Sequence, residues 1–109
     1  MKMNPLGRTG LTVSELCLGT MTFGTQTDEA ESHTQIDRAL AAGINFVDTA
    51  EMYPVNPIGP DTQGDSERAI GTWLGKTKRR GDVIIATNHS GDGWDHIRTR
   101  AGISATSIP

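Results

Sequence analysis

INFVDTA, residues 44–50, is a short apolar run rich in β-branched side chains that meets a carboxylate at Asp48. An apolar run of this length, rather than an alternating one, is typical of a strand buried on both faces of a parallel sheet. Two similar runs accompany it, LCL at residues 16–18 and VIIAT at residues 83–87. The chain is therefore predicted to contain three buried strands. The strand at residues 44–50 places Asp48 at one end of their sheet.

Two helical patterns separate these strands. Asp28 can cap the first helix, with Glu31 at the third helical position, and apolar residues then recur at helical spacings until Gly43. Asp65 or Ser66 can cap the second helix. The apolar positions of the second helix fall on one face: Ala69, Ile70, Trp73 and Leu74.

The remaining segments complete an α/β order. GRTG, residues 7–10, lies between two short strand-like pieces, and a Gly-containing connection of this length predicts a β-hairpin. YPVNPIGPDTQG, residues 53–64, is interrupted by prolines and glycines and predicts a long loop. A hairpin followed by strand, helix, strand, helix and strand is the pattern of right-handed βαβ units in a parallel sheet.

Charge and composition exclude several classes of partner. The 13 acidic and 10 basic residues are spread without long blocks and leave a net charge of −3, which gives no footprint for nucleic acid or an anionic membrane. No stretch approaches the roughly 18 apolar residues of a membrane span, and the N-terminus lacks the apolar region of a signal peptide. The one cysteine, Cys17, lies in an apolar run and is expected to be a buried, reduced thiol. These features favour a cytoplasmic protein.

Four motifs together resemble the aldo-keto reductase family. They are LGRTGLTVSELCLGTMTFG at residues 6–24, AGINFVDTAEMY at 42–53, TQGDSERAIGTWLGK at 62–76 and DVIIAT at 82–87. The resemblance extends up to about Arg98, and the proline-rich loop looks most like the Tas-like branch. It implies the N-terminal part of a (β/α)8 TIM barrel that begins with a β-hairpin. It also implies an oxidoreductase that reduces a small-molecule aldehyde or ketone with NADPH and without a metal.

The same resemblance assigns roles at the predicted strand ends. It implies that Tyr53 is the catalytic acid and Asp48 the carboxylate that orients it, and it places Asn88 where the family has a lysine. A free tyrosine has a pKa of about 10, so a neighbouring cation would help it to give up its proton. Asparagine can donate a hydrogen bond but carries no charge. The residues implied to contact the nicotinamide end of NADPH are Gly19, Thr20, Met21 and Asp48.

Ordinary structural roles stay open for the same residues. Asp48 and Asn88 are also common turn formers, and Tyr53 is also a common partly buried anchor. Glu51 is expected to be a solvated loop acid. His33, on the first helix, does not match the histidine of the family's catalytic tetrad, which is expected beyond the end of this chain.

Two further expectations concern metals and size. Polar loop residues at the spacings of His89, Asp92, Asp95 and His96 are usually solvated, so no metal site is predicted. A (β/α) barrel takes about 250 residues, so residues 1–109 are expected to be a truncated aldo-keto reductase domain. The alternative to a reductase is an inactive fragment or pseudoenzyme that serves as an interaction module, with self-association through an open sheet edge.

Overall fold

A computed structural model describes residues 1–55 and 59–89 of the chain. Its regular elements, in chain order, are β1 (Met3–Pro5), β2 (Thr12–Ser14), β3 (Cys17–Gly19), α1 (Glu29–Ala41), β4 (Phe46–Ala50), α2 (Asp65–Thr77), a 3-10 turn (Arg80–Asp82) and β5 (Ile84–Asn88). The predicted order of hairpin, strand, helix, strand, helix and strand is confirmed. No regular element lies in the described part of the predicted loop, residues 53–55 and 59–64.

The opening hairpin pairs β1 with β2 in antiparallel register, with Asn4 opposite Val13. The amide of Leu6 donates to the carbonyl of Leu11 at 2.8 Å and closes the connection. Gly7 within this connection has a φ of 56°, a left-handed conformation that glycine adopts without a steric penalty. The hairpin predicted from the glycine spacing is therefore confirmed.

The other three strands form a parallel sheet in the order β3-β4-β5. Because side chains alternate along a strand, residues two apart share one face of this sheet. Leu18, Val47 and Ile85 lie on the face that packs against the helices and belong to the hydrophobic core. The core is completed by side chains from both helices and two connections: Phe23, Ile36, Ala69, Ile70, Trp73 and Val83. The opposite face of the sheet is therefore the one that carries Asp48.

The two helices begin in different ways. Asp28 caps α1 as predicted, because its side-chain oxygen accepts a hydrogen bond from the amide of Glu31 at 2.8 Å. The prediction that Asp65 or Ser66 caps α2 is wrong. The N-cap is Gly64, with a φ of 87° and no side-chain cap, and the hydroxyl of Ser66 bonds instead to the carbonyl of Phe23. Only a tertiary contact could have diverted the serine from the capping role.

Polar side chains as well as apolar ones join α1 to α2. Nε2 of His33 lies 2.9 Å from the carbonyl oxygen of Ala69 and 3.0 Å from the hydroxyl of Thr72. Nε1 of Trp73 donates to the carboxylate of Asp37 at 2.8 Å. His33 is buried between the helices, so its role in this chain is to hold α1 against α2. In the described part of the chain, no helix is both long and apolar enough to cross a membrane.

The expectation of a buried thiol at Cys17 is wrong, because the residue is exposed. The run at residues 16–18 predicts burial throughout, yet strand alternation turns Cys17 away from the helices, and Leu16, which precedes β3, is exposed. Cys17 lies on the opposite face, in the same row as Phe46 and next to the row of Asp48. A three-residue apolar run is too short to distinguish a strand covered on one face from a strand covered on both.

Candidate functional site

The candidate residues on the strands share the sheet face that points away from the helices. Gly19 pairs with Asp48, and Asp48 pairs with Ala86, so these three residues form one row across the sheet. Asn88 pairs with Ala50 two residues further toward the C-terminal ends of the strands, in the next row on the same face. Because paired residues of parallel strands lie on the same face, Asp48 and Asn88 are diagonal neighbours. The structure therefore brings these two predicted residues together.

Thr20 fixes the backbone at the end of β3. Its amide donates to the carbonyl oxygen of Asp48 at 3.1 Å, and its hydroxyl donates to the same oxygen at 2.9 Å. Thr20 is fully buried, whereas Gly19 and Met21 on either side of it are exposed. Both hydrogen-bond donors of Thr20 are thus engaged within the protein. Thr20 therefore acts on a ligand by positioning its exposed neighbours, Gly19 and Met21.

Tyr53 is tied by its backbone to two elements. Its amide donates to the carbonyl of Ala50 at 3.1 Å, so residues 50–53 form a turn at the end of β4. Its carbonyl accepts hydrogen bonds from the amides of Gly64 at 3.0 Å and Ser66 at 3.4 Å, at the start of α2. The N-terminus of a helix has free amides, and here they bind a backbone carbonyl of the turn. Tyr53 is held at the same end of the sheet as Asp48.

Asn88 ends β5 with an exposed side chain and a bonded backbone. Its carbonyl accepts a hydrogen bond from the amide of Glu51 at 2.9 Å. The preceding residue, Thr87, faces the helices, and its hydroxyl donates to Glu67 of α2 at 2.6 Å. The ion pairs among residues 1–55 and 59–89 are Arg68–Asp65 and Arg79–Asp82, and neither includes Asp48.

Glu51 corrects another expectation, because this predicted solvated acid is 1% exposed. The hydrogen bond from its amide to Asn88 extends the pairing of β4 and β5 by one residue beyond the strand end. The bond between Tyr53 and Gly64 then closes the loop beside it. Sequence reasoning could not find this burial, since an acid that follows a strand and precedes a proline-rich segment has the local pattern of a solvated residue.

The pKa of Cys17 reports on the electrostatics of the sheet face that carries Asp48. Partial burial of its sulfur raises the pKa of the thiol, because burial disfavours the charged thiolate. The negative charge of Asp48 raises this pKa further, while a hydrogen bond with the Asp48 backbone opposes the rise. The carboxylate of Asp48 therefore acts electrostatically on the side of the sheet where Cys17, Gly19 and Asn88 lie.

The backbone is open at Gly19, at the end of β3. A Cβ atom added to Gly19 would meet nothing within 4 Å, so open space lies above this residue beside Asp48. The family resemblance implies that the nicotinamide end of NADPH lies at this position, and the bare backbone of Gly19 places no side chain in its way. Among the described residues, no group of three His, Cys, Asp or Glu side chains could hold a metal ion. Of the four polar loop residues for which no metal site is predicted, Asp92, Asp95 and His96 lie outside the described residues.

Comparison with known proteins identifies the family. The family model described as "Aldo/keto reductase family" matches residues 15–106. This chain belongs to the aldo/keto reductase family. The protein tas of Escherichia coli strain K12 is 50% identical over 91 residues, which cover 84% of this chain and 26% of tas. The uncharacterized oxidoreductase YrpG of Bacillus subtilis is 46% identical over 88 residues, covering 80% of this chain and 26% of YrpG.

A solved aldo-keto reductase shares the fold. The holo form of an aldo-keto reductase from Bacillus halodurans superimposes with a TM-score of 0.64 at 32% identity, covering 94% of this chain and 37% of that chain. The described elements are thus the N-terminal part of the family's TIM barrel, which confirms the predicted fold class. The predicted resemblance to the Tas-like branch is confirmed as well. This chain spans about a quarter of the length of tas and of YrpG.

Proposed function

We propose that this chain contributes the N-terminal catalytic residues of an NADPH-dependent oxidoreductase that reduces aldehydes or ketones. The observation that carries the proposal is the juxtaposition of Asp48, Tyr53 and open space over Gly19 at one end of a parallel sheet. In α/β barrels the active site lies at the C-terminal ends of the strands, and all three features lie there. Membership of the aldo/keto reductase family supports the same chemistry.

Each residue has a distinct task in this proposal. NADPH, when bound, would supply the hydride for reduction of the carbonyl group. The phenol of Tyr53 donates a proton to the carbonyl oxygen, and Asp48 orients the groups around that phenol. The exposed residues Gly19 and Met21 contact the nicotinamide end, while Thr20 keeps them in place through its two hydrogen bonds to the Asp48 backbone.

Asn88 defines the second candidate function. Its amide can donate a hydrogen bond to the phenol but cannot supply the charge that a lysine would supply. A chain with asparagine here could therefore bind NADPH or a carbonyl compound without effective turnover. In that case the domain serves as a binding module. The edge of β5 that does not face β4 pairs with no other strand among the described residues, and it offers its backbone groups to another copy of the chain.

A titration of the chain with NADPH, followed by fluorescence and compared with NADH, tests cofactor binding first. Saturable binding that prefers NADPH is expected for the reductase, and the absence of binding contradicts the reductase but not the self-associating module. Turnover then separates the reductase from the binding module. Tyr53→Phe, which removes only the hydroxyl, is expected to lower kcat by at least about 100-fold, in keeping with the usual contribution of a general acid. Unchanged kcat in this variant would show that Tyr53 is not the proton donor.

A further inference from the structure

Ser66 is fully buried in the first turn of α2, and the proposed chemistry does not use it. Its hydroxyl donates to the carbonyl oxygen of Phe23 at 2.6 Å. Its amide donates to the carbonyl oxygen of Tyr53 at 3.4 Å. One residue of α2 therefore contacts both the connection that follows β3 and the turn that carries the tyrosine.

These two bonds complete a closed circuit. The amide of Phe23 donates to the carbonyl of Thr20 at 3.0 Å, and Thr20 donates twice to the carbonyl of Asp48. On the other side, the amide of Tyr53 donates to the carbonyl of Ala50, which belongs to the same strand as Asp48. The members of the circuit, in order, are Asp48, Thr20, Phe23, Ser66, Tyr53 and Ala50.

The residues that join β3 to α2 in this circuit are buried, so their hydrogen bonds are shielded from water. Thr20, Phe23 and Ser66 are all 0% exposed, so water cannot replace a lost partner of the Phe23 carbonyl. The connection also approaches α2 closely at the next residue, since a Cβ atom on Gly24 would lie 2.7 Å from Cβ of Asp65. Geometry at this point is thus determined jointly by the Ser66 hydroxyl and by the absence of a side chain at Gly24.

We propose that Ser66 is a positioning residue, whose hydroxyl sets the placement of Tyr53 relative to the Gly19–Met21 segment. It touches neither substrate nor cofactor and acts through Phe23 on one side and through the Tyr53 carbonyl on the other. This inference rests on the proposed function, because the two segments that it relates are the proton donor and the nicotinamide contact.

The chain offers a direct probe of this geometry, because Tyr53 is its one tyrosine. Biosynthetic incorporation of 3-fluorotyrosine therefore gives one fluorine resonance, which reports on the ring of Tyr53 in the full chain. Ser66→Ala is expected to shift or split this resonance. The matched control is Ser32→Ala, since Ser32 is also fully buried and its hydroxyl also donates to a backbone carbonyl, that of Asp28 at 2.7 Å. The control is expected to keep the resonance of the unsubstituted chain.

Ser66→Thr tests the role of the hydroxyl, because it keeps the donor that alanine lacks, and it is expected to restore the resonance. If Ser66→Ala does not fold, Ser66→Cys replaces it with the same expectations, since a thiol has a similar volume but donates weakly. An unchanged resonance in the folded Ser66 variant, or the same change in Ser32→Ala, overturns the proposal.

Kinetics provide the second measurement. A misplacement of about 1 Å can cost on the order of 100-fold in rate, so Ser66→Ala is expected to lower kcat by about tenfold or more. The KM for the carbonyl substrate is expected to change little, because Ser66 does not contact it. If the unsubstituted chain has no turnover, the proposed reductase activity fails, while the fluorine spectra still decide whether Ser66 positions Tyr53.

Discussion

Replacement of Asn88 by lysine tests the electrostatic reasoning about the site most directly. Asn88 lies one strand over from Asp48 and two residues further toward the strand ends. With strands about 4.8 Å apart and a rise of about 3.3 Å per residue, their Cα atoms are separated by roughly 8 Å. The exposed side chain of Asn88 leaves room for a longer one. A lysine at this position is expected to reach the neighbourhood of the Asp48 carboxylate.

The magnitude follows from the Coulomb energy. Two unit charges interact by about 2 kcal/mol at a separation of 8 Å and by about 4 kcal/mol at 4 Å, with an effective dielectric constant of about 20. The exposure of Asn88 calls for a discount for screening by solvent, to about 1–2 kcal/mol. Because each 1.36 kcal/mol of barrier corresponds to a tenfold change in rate, the lysine is expected to raise kcat by about 10-fold. The attraction to Asp48 is the same before and during the reaction, so the increase in kcat requires that the lysine lie at a similar distance from the Tyr53 oxygen, where negative charge develops.

The assay is the loss of NADPH absorbance with an aromatic aldehyde as substrate. Asn88→Met is the matched control, since methionine has a similar length and no charge. The effect of the lysine should also disappear in a Tyr53→Phe background, because no phenolate can then form. Equal rates for folded Asn88→Lys and Asn88→Met proteins would refute the assignment of Asn88 to the place of a catalytic cation.

Two other substitutions test the surroundings of the site. Asp48→Asn removes one of the two causes that raise the pKa of Cys17, so the thiolate fraction at a given alkaline pH should increase. Alkylation of this single cysteine should therefore become faster. If the profiles of alkylation rate against pH overlap for the two proteins, the proximity of Asp48 and Cys17 is contradicted. Gly24→Ala is expected to destabilise the fold by about 1–3 kcal/mol in urea unfolding, because φ is 99° and the new Cβ would lie 2.7 Å from Asp65. Gly71→Ala, in the exposed middle of α2 with nothing within 4 Å of the new Cβ, is the matched control and should stabilise by about 1 kcal/mol.

The sequence predicted those features whose causes are local. The capping of α1 depends on Asp28 and Glu31, which are three residues apart, and the hairpin depends on glycines within one connection. The order of elements along the chain follows from apolar runs that take turns with helical periods, so it was predictable without any knowledge of tertiary contacts. The row of Asp48 at the strand ends follows in turn, since parallel strands present their C-terminal ends at one edge of a sheet.

The features that the sequence missed depend on partners far away along the chain. Ser66 has the composition and position of a helix cap, yet its hydroxyl bonds to Phe23, which lies 43 residues earlier. Glu51 has the character of a loop acid, yet its backbone joins Asn88 and its side chain is buried. In both cases a polar group is withdrawn from its usual local role by a contact near Tyr53. The two residues thus depart from local sequence preferences where Tyr53, the end of β3 and the end of β5 are held together. Such departures are expected in a functional site.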